Sequence, residues 1–256
     1  MKLTVLGSGT CVPSAKRSAS SYLLSFTNNR LLIDCGPGTL RQIALSGVDY
    51  RKIDAVFITH LHPDHVSDLP GLVHALSATP GFKRKKPLYL FGPEKLRWFY
   101  EDVILNLLRE PDEFKIVLKT CPKKVHLFDL DIVSAKTLHS PDSVAYRFES
   151  KDKVVVFTGD ADLSEELIEL ASGADLLVAD CSFPDGLKKQ GHMTPSECGK
   201  LANKANVSTL LLSHLYPTDV PSSEFIRQCK QHFSGKVIVA EDLMVLKIQG
   251  ILITIS

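Results

Sequence analysis

The sequence predicts an α/β fold in one domain, 1–256, arranged as a four-layer αββα sandwich. Two observations lead there. Short β-branched and aliphatic runs bounded by Gly, Pro and Asn turns alternate with segments of helical period. A middle stretch, 114–160, is rich in strands alone. Strands covered on one face by helices and on the other by a second sheet satisfy the layer rules of domain architecture.

In order, strands are predicted at 3–6, 22–26, 30–34 and 55–59, and helices at 40–46, 69–78 and 94–108. The strand-rich stretch includes a hairpin of 144–148 and 154–158 around a polar turn at 150–152. Helix 164–171, strand 176–179, helix 195–203, strand 209–213 and helix 222–233 follow. Strands at 236–240, 244–248 and 251–255 close the chain. No repeat or low-complexity segment interrupts this order.

Composition narrows the function classes. Apolar residues at 44% and charged residues at 23% suit a chain with a large core, and Gly and Pro are scattered rather than pooled in a linker. The amino terminus lacks the basic region, apolar run and small-residue cleavage site of a signal peptide, so a cytoplasmic protein is expected. No apolar run approaches the roughly 20 residues that cross a bilayer, which removes a membrane partner. Cys11, Cys35, Cys121, Cys181, Cys198 and Cys229 form no CxxC pair, which argues against a thiolate zinc site or a disulfide framework. With 30 basic and 29 acidic side chains the net charge is +1, so any polyanion contact must be local. The run Lys83-Arg84-Lys85-Lys86 is either such a contact or a solvated loop.

The segment that decides the chemistry is Thr59-His60-Leu61-His62-Pro63-Asp64-His65, directly after an apolar strand. His60 and His62 alternate onto one side of an extended chain. Pro63 stops a regular strand, so Asp64 and His65 lie past a turn and can face a second ion. Imidazole and carboxylate together suit zinc or a similar first-row divalent ion. His139, Asp160 and His214 each follow a strand, where side chains pool at one rim of a sheet. His74, His126 and His232 have no such placement and are expected in structural roles. Gly7-x-Gly9 lacks the third glycine and the acid of a dinucleotide fingerprint and reads as a tight turn.

These residues resemble the signature of metallo-β-lactamase-fold hydrolases, and within them the ribonuclease Z-like branch. The likeness spans nearly the whole chain, including Gly7-Ser8-Gly9-Thr10, Asp34-Cys35-Gly36-Pro37-Gly38-Thr39 and Thr158-Gly159-Asp160. It implies two divalent metal ions, zinc first, with manganese or iron also acceptable. His60, His62 and His139 would hold one, and Asp64, His65 and His214 the other, with Asp160 bridging. Asp34 would orient ligand side chains; by its position alone it is equally a cap for the helix near Thr39. His192, in Gly191-His192-Met193-Thr194-Pro195, is similar to the family's general acid. Asp180 stands where the family usually carries a glutamate that orients that histidine. By position alone, His192 merely leads into a helix capped by Thr194.

Two ions this close lower the pKa of a bridging water and polarise an electrophile, so hydrolysis is the expected reaction, with Asp64, Asp180 and His192 as its catalytic residues. The first expectation is a phosphodiesterase acting on a small or nucleotide-like phosphodiester. The second is RNA: a tRNA 3′-processing endoribonuclease. Family enzymes acting on tRNA typically carry a long basic arm between the positions matching His139 and Asp160, and only 21 positions separate them here. A third expectation is thioester or lactam hydrolysis on the same fold; a non-catalytic metal protein is the last. The resemblance also implies a homodimer.

Overall fold

The computed structural model describes residues 1–121, 123–249 and 252–255. From the start of the chain, β1 (Lys2–Gly7), β2 (Ser21–Phe26), β3 (Asn29–Ile33), β4 (Ala55–Phe57), β5 (Leu88–Gly92) and β6 (Ile116–Thr120) build a first sheet. The chain then lays down a second sheet from β7 (Lys124–Leu127), β8 (Leu130–Lys136), β9 (Val144–Glu149), β10 (Val154–Phe157), β11 (Leu176–Asp180), β12 (Thr209–Ser213) and β13 (Lys236–Val239). It ends by returning to the first sheet with β14 (Val245–Gln249) and β15 (Leu252–Ile255), so that β14 pairs with β1. The orders are β15-β14-β1-β2-β3-β4-β5-β6 and β13-β12-β11-β10-β9-β8-β7.

Within each sheet four strands run parallel, β3 to β6 in one and β10 to β13 in the other. Parallel neighbours need crossovers. Helices α1 (Thr39–Leu45), α2 (Pro63–Val66) and α3 (Leu69–Ala78), then the helical segment α4 (Leu96–Trp98) to α5 (Leu105–Leu107), serve the first sheet. Helices α6 (Glu165–Ala171), α7 (Pro195–Lys204) and α8 (Ser222–Lys230) serve the second. Parallel strands buried on both faces read as continuous apolar runs, as in Leu210-Leu211-Leu212.

Three apolar layers result. Phe57, Phe91, Tyr146, Phe148 and Phe157 fill the space between the sheets, Phe57 stacking on Phe91 and meeting Phe148 edge-on. Leu32, Val56, Leu69 and Leu72 seal the first sheet against its helices, and Leu177, Leu201, Leu210 and Phe225 seal the second. This is the predicted αββα sandwich. The predicted helix 94–108 is an α-turn, a π-helical stretch over Phe99–Ile104 and another α-turn. Its buried residues Leu96, Tyr100 and Ile104 repeat every fourth position, a spacing longer than the 3.6 of an α-helix, and the widened turn keeps all three on the core side. Of the predicted last strand, Ile251 lies outside the described residues.

Because both parallel sets point the same way, β3, β4, β8, β10, β11 and β12 all end at one rim. Ligand sites of parallel sheets lie beyond the carboxyl ends of strands.

Candidate metal centre

Each strand ending at this rim hands over at least one chemical group. β3 delivers Asp34, β4 delivers His60 and His62, and β8 leads to His139; β10 leads to Asp160, β11 ends in Asp180, and β12 leads to His214. Pro63 takes the first position of α2, where its missing N–H is not needed, and that short helix swings Asp64 and His65 inward. Asp34 and His214 hold positive φ (both 56°), which turns each side chain into the site at the cost of a left-handed backbone. Gly159, at φ 57°, lies where a Cβ would press on the Thr59 side chain at 2.8 Å.

The seven predicted ligands come together around one carboxylate. Asp160 Oδ2 lies 3.7 Å from His60 Nε2 and 3.6 Å from His139 Nε2. Asp160 Oδ1 lies 3.3 Å from both His65 Nε2 and His214 Nε2. Asp64 Oδ2 completes the second cluster, 3.7 Å from His65 and 3.5 Å from His214. In the first cluster His62 Nδ1 is 3.0 Å from His60 Nε2 and 3.1 Å from His139 Nε2. A tetrahedral ion with bonds of about 2.1 Å keeps its ligand atoms about 3.4 Å apart, so the spacings fit a divalent ion in either cluster.

The outer bonds fix which imidazole nitrogen faces inward. Asp34 accepts from the Thr59 N–H at 2.8 Å and from the Thr59 hydroxyl at 2.9 Å, leaving the Thr59 oxygen to accept from His60 Nδ1 at 3.1 Å. His65 Nδ1 donates to Asp34 at 2.7 Å and His139 Nδ1 to the Gly191 carbonyl at 2.9 Å. The Ser182 hydroxyl donates to Asp180 at 2.6 Å, and His214 Nδ1 donates to Ser182 at 2.9 Å. All four rings therefore turn Nε2 to the centre, the nitrogen a metal would take in exchange for any proton there.

Two further observations test the fit. His65 Nε2, His214 Nε2 and Asp160 Oδ1 are buried with no hydrogen-bond partner, a cost that a shared cation would remove. The field also draws positive charge. Burial opposes charge on His214, yet Asp160, Asp180 and Asp64 outweigh it and lift its pKa to about 10. Burial likewise opposes charge on Asp160, but His214, His65 and His60 hold its carboxyl well below the usual range. The His/Asp set therefore fits divalent metal.

His192 stands at the mouth. Its Nδ1 is 2.9 Å from Asp180 Oδ2 and 3.9 Å from Asp160 Oδ2, and its ring stacks on His214. Burial disfavours its charged form, but the bond to Asp180 outweighs burial and its pKa is raised. Asp180, one methylene shorter than glutamate, still reaches His192. Its other contacts, the Ala161 N–H at 3.1 Å and Ser182, hold it in place. Phe183 and Tyr216 stack beside the mouth at 4.4 Å, both edge-on to His192.

Asp34 orients His65 and does not cap α1, whose N-cap is Gly38. Thr194 does cap α7, in a capping box with Glu197. His126 pairs with Asp131 at the surface. Ser182 was not singled out from the sequence; its position two residues after Asp180, on the same side of an extended segment, is the signal that it reaches the same histidines. In the basic run, Arg84 is buried and donates to the carbonyls of Arg51, Lys86 and Pro87, while Lys83 pairs with Glu113. The run lines a cavity of about 310 Å³ with Arg30 and Asp54, at the amino ends of β3 and β4 and so at the rim opposite the centre.

The family model for the metallo-β-lactamase superfamily matches residues 15–214. Ribonuclease Z of Archaeoglobus fulgidus is 30% identical, over 96% of this chain and 97% of its own. The crystal structure of the metallo-β-lactamase fold protein YhfI from Bacillus subtilis superposes with a TM-score of 0.83 at 28% identity, covering 95% of this chain and 97% of that one. Human tRNase Z, short form, superposes at 0.81 with 26% identity, covering 97% of this chain and all of its own.

Proposed function

As the chain belongs to the metallo-β-lactamase superfamily, on its ribonuclease Z-like side, and is a metal-dependent hydrolase, we propose that it is a two-metal phosphodiesterase with zinc as its first-choice ion. The observation that carries this reading is Asp160, one oxygen turned to each ligand cluster, with the His192–Asp180 pair beside it. His60, His62 and His139 would hold one ion, and Asp64, His65 and His214 the other. Bound there, divalent ions supply Lewis acidity toward phosphoryl oxygens and a lowered pKa for water. Asp34, Thr59, Gly191 and Ser182 keep the ligand rings aimed. Asp180 holds His192 through Nδ1, which leaves Nε2 to give its proton to the leaving oxygen.

A small or nucleotide-like diester suits the chain best. Residues 140–159, between His139 and Asp160, are filled by the hairpin β9–β10, with no room for an arm. The alignment with the Archaeoglobus enzyme needs 304 positions for a chain of 256, so that relative carries inserted segments, whereas the alignment with Bacillus subtilis YhfI needs 250. The second reading, removal of the 3′ trailer from precursor tRNA, is favoured by the ribonuclease Z name shared by several full-length relatives.

One metal-loaded preparation, offered bis(4-nitrophenyl) phosphate and a precursor tRNA with Asp64→Ala as blank, separates the readings. Diester turnover with intact RNA is expected. Cleavage directly after the tRNA body would install the second reading, and turnover of a thioester or lactam with the diester untouched would overturn both.

A further inference from the structure

We infer that Asp162 and Lys188 are positioning residues that lock His192, the proton donor, to the ligand His139. This rests on the phosphodiesterase reading above and adds to it a pair that lies outside the ligand set. Lys188 Nζ donates to Asp162 Oδ1 at 2.5 Å, to Glu197 Oε2 at 2.6 Å and to the His192 carbonyl at 2.7 Å. Asp162 Oδ2 accepts from the Gly191 N–H at 2.6 Å, and the Asp162 N–H donates to the Leu138 carbonyl at 3.0 Å. Gly191 in turn accepts from His139 Nδ1 at 2.9 Å.

These bonds close a ring through three separate stretches of chain. Asp162 sits two residues past Asp160 and bridges to the residue before His139. Gly191 immediately precedes His192. It sits at φ 86°, and a Cβ there would meet His139 Nδ1 at 2.9 Å, so the loop backbone can come this close only as glycine. The Glu197 oxygen that Lys188 contacts is also the one that caps the start of α7 through the Thr194 N–H at 2.9 Å. One ammonium thus ties both ends of the segment carrying His192. Without it, residues 185–193 hold little regular structure beyond a single 3₁₀ turn, and the ring would be left to Asp180, Ser182 and its packing on His214, with its backbone untied.

Loss of an ammonium that only orients a donor lowers the rate where proton delivery matters and nowhere else. The variants are Lys188→Met, which keeps the length of the stem, and Asp162→Asn, which keeps the shape and protects the test if the first variant folds poorly. Both are compared with His192→Ala and with the double variants, on bis(4-nitrophenyl) phosphate and on a dialkyl or nucleoside diester with a poor leaving group. Metal content and amide exchange at Gly191 and His192 are followed in parallel. The expected result is a loss of about ten-fold on the poor leaving group, under two-fold on the activated diester, unchanged metal, faster exchange at both amides, and partial rescue by Lys188→Arg. On the His192→Ala background the same variants should cost nothing further. Losses that multiply with His192→Ala, or that are equal on both substrates, would overturn the positioning role. If His192→Ala alone hydrolysed the poor leaving group at the full rate, the acid assignment itself would fail, a result read before any clamp variant is combined with it.

Discussion

The metal box and the His192 loop lie side by side, yet they are held by different physics. Four of the box ligands are buried: His60, Asp160 and His214 after strand ends and His65 in α2 are each 3% exposed or less, and each of their imidazoles is fixed by a buried acceptor, while His62 is exposed. The loop is held by ion pairs whose side chains are 35% exposed at Lys188 and 21% at Asp162. Exposed pairs of this kind contribute little to stability, typically under about 1 kcal/mol, so their worth in this position is geometric. The ligand cluster is therefore held mainly by buried bonds, and the proposed proton donor beside it by bonds that can be altered separately.

The largest break in that contrast should come from Asp160→Asn. It removes the charge that both clusters share, and diester turnover should drop to that of the metal-free protein, with ions lost from both clusters in a metal analysis. Next is His192→Ala: turnover of diesters with poor leaving groups should fall by about 10²- to 10⁴-fold with both ions kept, and activated aryl diesters should be affected much less. Asp34→Ala leaves every ligand in place but frees the His65 ring. It should weaken metal affinity by roughly 10- to 100-fold in a competitive chelator titration, with the Asp64 cluster losing its ion first. The smallest effect is expected at Thr194→Ala, which removes the capping box of α7 and should lower stability by about 1 kcal/mol in a urea titration without moving metal content.

How far the sequence spoke follows the same division. The layers were legible because parallel strands buried on both faces leave apolar runs such as Val154-Val155-Val156-Phe157, and because α3 has the same bounds, 69–78, in the helical period and in the structure. That His60 to His65 would cluster was legible because they are adjacent in sequence, whereas His139, Asp160 and His214, each simply following a strand, joined them through the resemblance. The π stretch was not, since a four-residue apolar repeat is read as an ordinary helix until the core it faces is known. Ser182, Lys188 and Asp162 were hidden for a different reason. The bonds that give them their roles, Ser182 to His214, Lys188 to Asp162 and Asp162 to Gly191, join segments more than twenty residues apart; only Ser182, two positions after Asp180, carried a spacing signal, and Lys188 in isolation reads as one more surface lysine. The role of Asp34 was open between cap and orienting group, and only the positive φ that points it at Thr59 and His65 separates the two. The basic run was open between a local polyanion contact and a solvated loop; Arg84 is buried and spends its guanidinium on backbone carbonyls at the far rim.

The most direct test is a titration of metal-free protein with zinc, following bound ion per chain by mass spectrometry and bis(4-nitrophenyl) phosphate hydrolysis in the same samples. Two ions per chain, with activity completed by the second and neither ion retained by Asp160→Asn, is the predicted outcome. Full activity at one ion per chain, or an Asp160→Asn protein that still binds two, would contradict a centre built around a shared carboxylate.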